Sequence, residues 1–122
     1  MDKIIMNHMG FYGFHGVLEE EKAIGQKFFV DVELSLDLRS AGETDLVENT
    51  ISYADVYDDV KYFVESARYN LIEALGENIC NMILAKYPEV QEAMVRIKKP
   101  EAPVRGIFDY FGVEIRRNRH EK

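Results

Sequence analysis

Phe28-Phe29-Val30-Asp31-Val32-Glu33-Leu34-Ser35-Leu36-Asp37-Leu38, residues 28–38, alternates without a break. Every even position is apolar, whereas the odd positions carry Phe, Asp, Glu, Ser and Asp. Period two over this length predicts a strand with one dry and one mostly wet face, as in an antiparallel sheet. A strand so long implies an extended hairpin, and its natural partner is the segment before it. Ile4 to Phe14 reads as that partner, with Ile4 and Met6 against Lys3, Ile5 and Asn7. Glycines at 10, 13 and 16 suggest bulges or close backbone approach. His15-Gly16 begins a loop that runs through Glu19-Glu20-Glu21 to Gly25-Gln26.

Downstream, the polar and acidic stretch Ser40 to Asn49 reads as a loop. A helix follows from Ser52, capped with Asp55, and its apolar stripe is Val56, Val60, Phe63 and Val64. Ser66 to Tyr69 connects it to a second helix reaching about Tyr87, with Ile72, Leu75, Ile79, Met82 and Ile83 on one face. Asn70 reads as the N-cap of that helix, and Glu73 as its capping-box partner. Pro88 stops the helix. Ala93, Val95 and Ile97 mark a third strand ended by Lys99-Pro100, and Phe111, Val113 and Ile115 mark a fourth. Arg116 to Lys122 reads as a frayed charged tail. The order ββααββ predicts an α+β fold, a four-stranded antiparallel sheet with two helices on one face. The other face, with Phe29 and Met94 among charges, is either solvated or the lining of a ring built from several copies.

The 122 residues, 47% hydrophobic and 30% charged, suit one domain spanning 1–122 with a core that needs no disulfide. A net charge of -7 argues against nucleic acid and anionic membrane as partners. Cys80 is the only cysteine and falls inside the second helix, where a buried inert thiol is expected. With no signal-peptide core near Met1 and no run of membrane-spanning length, a cytoplasmic protein is the expectation.

Few residues suggest chemistry by themselves. Lys99 has the parity of Val95 and Ile97, so its side chain leaves the strand on the dry side. Burial disfavours the charged form of a lysine held there and brings proton exchange toward neutrality. The alternative is an end-of-strand lysine that snorkels to water. Glu73 is either a capping residue or a carboxylate kept ionised at a helix N-terminus, able to take paired N–H donors from a ligand. Tyr53 at a helix entrance reads as packing, and Glu21 as part of a solvated acidic run. His8, His15 and His120 have no ligand spacing, so no metal site is expected within one chain.

Taken together, Gly10-Phe11-Tyr12-Gly13-Phe14-His15-Gly16 with Glu21 and Gly25-Gln26 resembles the opening of the dihydroneopterin aldolases. So do Thr50-Ile51-Ser52-Tyr53-Ala54-Asp55-Val56, Leu71-Ile72-Glu73, Val95-Arg96-Ile97-Lys98-Lys99-Pro100 and Gly112-Val113-Glu114-Ile115, in order across nearly the whole chain. The resemblance implies the tunnelling fold and a metal-free retro-aldol cleavage of 7,8-dihydroneopterin in folate biosynthesis, without a cofactor and with epimerase side activity. It gives Lys99 the acid/base role with bound water. Glu73 would grip the pterin's amino and ring N–H edge, and the backbone of Ile72 would touch the ring. Tyr53 would reach in from a neighbouring subunit to stack and help move protons, and Glu21 would hold water or the substrate side chain. It also implies a homo-octamer of two tetrameric rings with sites at subunit interfaces. Alternatives within the same fold are a dihydroneopterin triphosphate epimerase and a non-catalytic assembly module. The loop Pro100 to Gly106, with Ile107 where a histidine is frequent, departs from the family's pattern and suggests altered loop packing or subunit contact.

Overall fold

The computed structural model describes residues 1–120. The elements are β1 (Asp2–Gly13), α1 (Glu19–Ile24), β2 (Gln26–Leu36), α2 (Arg39–Thr44), a 3-10 turn (Val47–Asn49), α3 (Tyr53–Ser66), α4 (Ile72–Lys86), β3 (Glu92–Lys99) and β4 (Phe111–Asn118). The sheet runs β1-β2-β3-β4, antiparallel throughout. The hairpins β1–β2 and β3–β4 therefore join through β2 and β3, while α3 packs on β1 and α4 on β3 and β4. Short helices α1 and α2 occupy the two segments expected to be loops.

Phe28, Val30, Val32, Leu34 and Leu36 are buried, as the alternation of residues 28–38 requires. They meet Val56, Val60 and Val64 from α3 and Leu75, Ile79 and Ile83 from α4 in one core. Each such side chain contributes roughly 1.5–3 kcal/mol through burial. Gly76 is where α4 comes closest to β4: a Cβ there would lie 2.9 Å from Ile115 Cγ1. Cys80 is buried in the same layer, its Sγ 3.7 Å from the carbonyl oxygens of Ala93 and Ile115.

Ser52 caps α3 as expected, accepting a hydrogen bond from the Asp55 N–H at 3.3 Å. The start of α4 differs by one residue from the expectation. Leu71, in extended conformation, is the N-cap, and its carbonyl accepts from Ala74 and Leu75. Asn70 is therefore not the cap, and Glu73 sits second in the helix, exposed and without a capping partner.

Two further expectations need correction. Of the two readings of the glycines, close approach holds at Gly13, where a Cβ would lie 2.9 Å from the Val64 carbonyl oxygen, whereas the bulge in β1 lies between Met6 and Met9, with His8 at φ 57°. Its displaced N–H donates to Asp31 at 2.6 Å. Asp31 also pairs with Arg96 and Lys98, each at 3.2 Å, and Met94 is fully covered, so the face opposite the helices is a paired polar layer and not simply wet. Burial pushes the Asp31 carboxyl up, but the His8 N–H and the two cations outweigh it and hold the group below its ordinary range.

The charged tail is not frayed across the described residues. Arg116, Arg117 and Asn118 belong to β4, and Glu121 and Lys122 lie outside the described residues. Arg119 donates to the carbonyls of Leu84, Tyr87 and Val90 at 2.6–3.1 Å, and so ties the last turn and C-cap of α4 to the turn that follows it. Removing that cation should be felt: Arg119→Ala is expected to lower stability by about 2 kcal/mol, read as a drop in urea midpoint with unchanged slope.

Candidate active site

Lys99 ends β3 and turns its side chain to the buried side, where only 13% of it is exposed. Its Nζ forms an ion pair with Glu21 Oε2. Glu21 lies on α1, not in an open acidic loop, and is itself buried. Its Oε1 accepts from the Leu18 N–H at 3.3 Å and its Oε2 from Gln26 Nε2 at 3.1 Å. Burial works to raise the Glu21 pKa, but hydrogen bonds from Lys99, Leu18 and Gln26 prevail and hold the carboxyl ionised below its usual range. The snorkelling alternative for Lys99 and the solvated one for Glu21 are both excluded by this contact.

Gly16 lets the pair form. Its φ is 151°, and a Cβ on it would stand 2.4 Å from the Glu21 carboxyl carbon. Only glycine leaves room for the carboxylate at that point.

The loop bearing Gly16 is tied to the connector between α3 and α4 by His15, which is fully buried. His15 Nε2 donates to the Val64 carbonyl at 2.7 Å and Nδ1 accepts from the Tyr69 N–H at 3.1 Å, an arrangement that needs the neutral ring. Tyr69 stacks on the imidazole with centroids 5.8 Å apart, and its carbonyl accepts from the Gly16 N–H at 3.0 Å. Desolvation drives the His15 pKa down, with the Lys99 and Arg68 charges adding to it; the Val64 carbonyl opposes them and loses. Through this clamp the loop ahead of Glu21 is held against the residues that lead into Ile72 and Glu73.

The structure thus brings Glu21 and Lys99 together. Ile72 is half-buried at the first position of α4, and Glu73 follows it, exposed. Tyr53 begins α3 and is 67% exposed, so it does not serve as packing within its own chain. Among the described residues, neither Glu73 nor Tyr53 makes a hydrogen bond or ion pair with the Glu21–Lys99 couple. A cavity of about 470 Å³ opens beside that couple, lined by Glu20, Glu21, Gln26, Lys27 and Glu101 among others. A larger groove of about 610 Å³ runs between α4 and β4, but its Glu77 and Arg117 already pair with each other. No group of three or more potential metal-ligating side chains occurs among the described residues, and no helix among them is long and apolar enough to cross a membrane.

The chain is similar to known proteins along nearly its whole length. A family model described as dihydroneopterin aldolase covers residues 4–116. The chain belongs to the dihydroneopterin aldolase family. It is 48% identical over 114 residues to a dihydroneopterin aldolase of Staphylococcus epidermidis, covering 93% of this chain and 94% of that one. It is 42% identical over 119 residues to that of Bacillus subtilis, covering 98% and 99%. The structure of E. coli dihydroneopterin aldolase in complex with neopterin superposes with a TM-score of 0.88 at 31% identity, over 97% of this chain and all of that one.

Two residues at the heart of this family member's candidate site were not singled out for it from sequence. His15 stands in the Gly10–Gly16 motif that carries the resemblance but is weighed by itself only as a metal ligand, although its place between Gly13 and Gly16 marks a tightly packed turn. Gln26 has the parity of Phe28 and Val30, which was enough to place an amide on the dry face.

The neutral His15 ring sets a pH dependence. Unfolded, the imidazole takes a proton below about pH 6.5; folded, it resists until lower pH. The unfolded state therefore binds more protons in that window, and stability falls as pH falls from 6.5. The carboxylate of Glu21 adds a further loss only below about pH 4.5. Unfolding free energy measured between pH 7 and 5 is expected to decline toward acid, by at most about 1.4 kcal/mol per pH unit from this group. His15→Asn should flatten that decline while lowering stability at pH 7.

Proposed function

We propose that this protein is a cytoplasmic 7,8-dihydroneopterin aldolase that cleaves its substrate to 6-hydroxymethyl-7,8-dihydropterin and glycolaldehyde. The observation that carries the reading is the buried Lys99–Glu21 pair beside an open cavity, with the start of α4 clamped to the same loop. A retro-aldol cleavage needs an electron sink. Here the substrate supplies one, because the ring imine next to the trihydroxypropyl chain accepts the electron pair of the breaking carbon–carbon bond. The protein has three tasks: to take the proton from the hydroxyl on the second side-chain carbon, to hold the enamine that forms, and to return a proton to it.

Lys99, through a bound water, is assigned the proton transfers. Glu21 keeps the ammonium in place and, being ionised, receives hydrogen bonds from side-chain hydroxyls or water. Glu73, free of any capping partner at the second position of α4, is assigned the paired amino and ring N–H donors of the pterin, with the Ile72 backbone against the ring. Tyr53, exposed on its own chain, is assigned to a neighbour's site, where it stacks on the substrate and takes part in proton transfer. A triphosphate substrate is disfavoured, since Glu20, Glu21 and Glu101 line the cavity against the single cation Lys27.

Metal-free protein incubated with dihydroneopterin is expected to release glycolaldehyde. Lys99→Ala should keep pterin affinity and lose at least about a hundredfold in turnover, the usual contribution of a positioned acid/base. Glu73→Ala should instead lose affinity. Equal loss of affinity in both variants would contradict the division of roles, and no glycolaldehyde from the unmodified protein would contradict the activity.

The same reading makes the active unit an oligomer, taken as two stacked tetrameric rings. The sheet is open at both edges, β1 and β4, and Ile5, Tyr53, Tyr62 and Ile107 are exposed. Activity per chain is therefore expected to fall on dilution in step with dissociation seen by sedimentation; a fully active monomer would overturn the assembly.

A further inference from the structure

Gln26 opens β2 with its side chain on the helix-facing side of the sheet and is 8% exposed. Its Nε2 donates to Glu21 Oε2 at 3.1 Å, and because a carboxylate only accepts, that bond fixes which way the amide points. Oε1 is left buried with no hydrogen-bond partner, the one such side-chain atom among the described residues. Buried acceptors are rarely left so, because the desolvation cost is not recovered. The Leu18 N–H is engaged with Glu21 Oε1, and the Lys99 ammonium, paired with Glu21 Oε2, makes no hydrogen bond to Gln26 Oε1. The cavity that Gln26 and Glu21 line together is the open volume next to this amide.

We infer that Gln26 Oε1 accepts a hydrogen bond from a hydroxyl of the substrate's trihydroxypropyl chain, so that Gln26 reads the part of the substrate that is cleaved off. The inference rests on the proposed aldolase activity and adds a contact to it. The chemistry favours a hydroxyl over the ring. The pterin's paired N–H edge calls for two acceptor oxygens in a plane, which a carboxylate offers and a lone amide carbonyl does not. A hydroxyl gives one proton to Oε1 and still presents lone pairs to the protons of Lys99 that Glu21 does not use. Gln26 would then hold the polyol chain where the lysine works, while its other end holds the lysine's counter-ion.

The test compares two ligands that are not turned over, neopterin and 6-hydroxymethylpterin, which differ in the two outer carbinols. Gln26→Met keeps the length and removes both polar atoms. It is expected to weaken neopterin binding roughly three- to tenfold and 6-hydroxymethylpterin binding less than twofold. The same selective loss should persist when Gln26→Met is added to Glu21→Gln, because a direct contact does not act through Glu21. Equal losses for both ligands, no loss, or a loss that vanishes in the Glu21→Gln background would each overturn the contact; the last would make Gln26 only a brace for Glu21. Should Gln26→Met fail to fold, Gln26→Asn withdraws the carbonyl by one methylene and gives the same readout. If glycolaldehyde release is intact while Gln26→Met binds both ligands normally, the contact fails alone; if the unmodified protein releases none, the activity itself has failed.

Discussion

A lysine and a glutamate, both nearly out of reach of solvent, face each other at the end of β3, and much of the surrounding structure serves to make that placement tolerable. Desolvating two charges is expensive, and their attraction offsets it only when the remaining lone pairs are also satisfied. Glu21 meets the condition with an amide N–H from Leu18 and a side-chain N–H from Gln26. Gly16 contributes by having no side chain, and α1 by turning Glu21 inward from a run of three glutamates, of which Glu19 and Glu20 stay exposed. Because the pair depends on this shell, removal of either partner leaves a buried charge rather than a harmless gap.

His15 carries the constraint outward from the pair. One imidazole joins the end of α3 at Val64 to the connector at Tyr69, and the next residue, Gly16, closes a backbone hydrogen bond to the same Tyr69. Three segments distant in sequence are therefore fixed to each other within a few residues of Glu21 and of Glu73. In the proposed roles, the loop with Glu21 and the helix with Glu73 have to keep their spacing to much better than about an ångström for both to act on one molecule. Packing alone would leave such a loop mobile, whereas a neutral ring with a donor on one side and an acceptor on the other does not.

The parts of the fold that could be read from the chain are those decided by periodicity. The strand of residues 28–38, the stripe of α3 and the buried parity of Lys99 all follow from which side of an element meets the core, and the structure places them so. What could not be read depends on single hydrogen bonds. Asn70 and Leu71 compete to start α4, and a preference for asparagine at a cap is small beside the pull of Tyr69, which is fixed by His15. The polar face of the sheet looked solvated because Asp31, Arg96 and Lys98 alternate with apolar residues, yet their mutual pairing buries the aspartate. Nor does a run of tail charges show that Arg119 will find three carbonyls at the end of a helix. The candidate site divides in the same way. Its positions follow from spacing and family resemblance, whereas the Glu21–Lys99 contact exists only in three dimensions.

The one-residue shift at α4 has a chemical consequence. As a capping-box residue, Glu73 would spend its carboxylate on a backbone N–H of its own helix, and a ligand would have to compete with that bond. At the second helical position the side chain has no such partner and remains exposed. It still lies within the first turn, where the helix dipole is complementary to negative charge, and it makes no hydrogen bond inside its own helix. Its two oxygens are thus left unoccupied for the planar pair of N–H donors that the proposed substrate presents. The N-cap is Leu71 instead, two residues after Tyr69, which is held by the same buried histidine that orders the loop before Glu21. The segments to which substrate grip and proton transfer are assigned in the proposal are thus tied together by one imidazole.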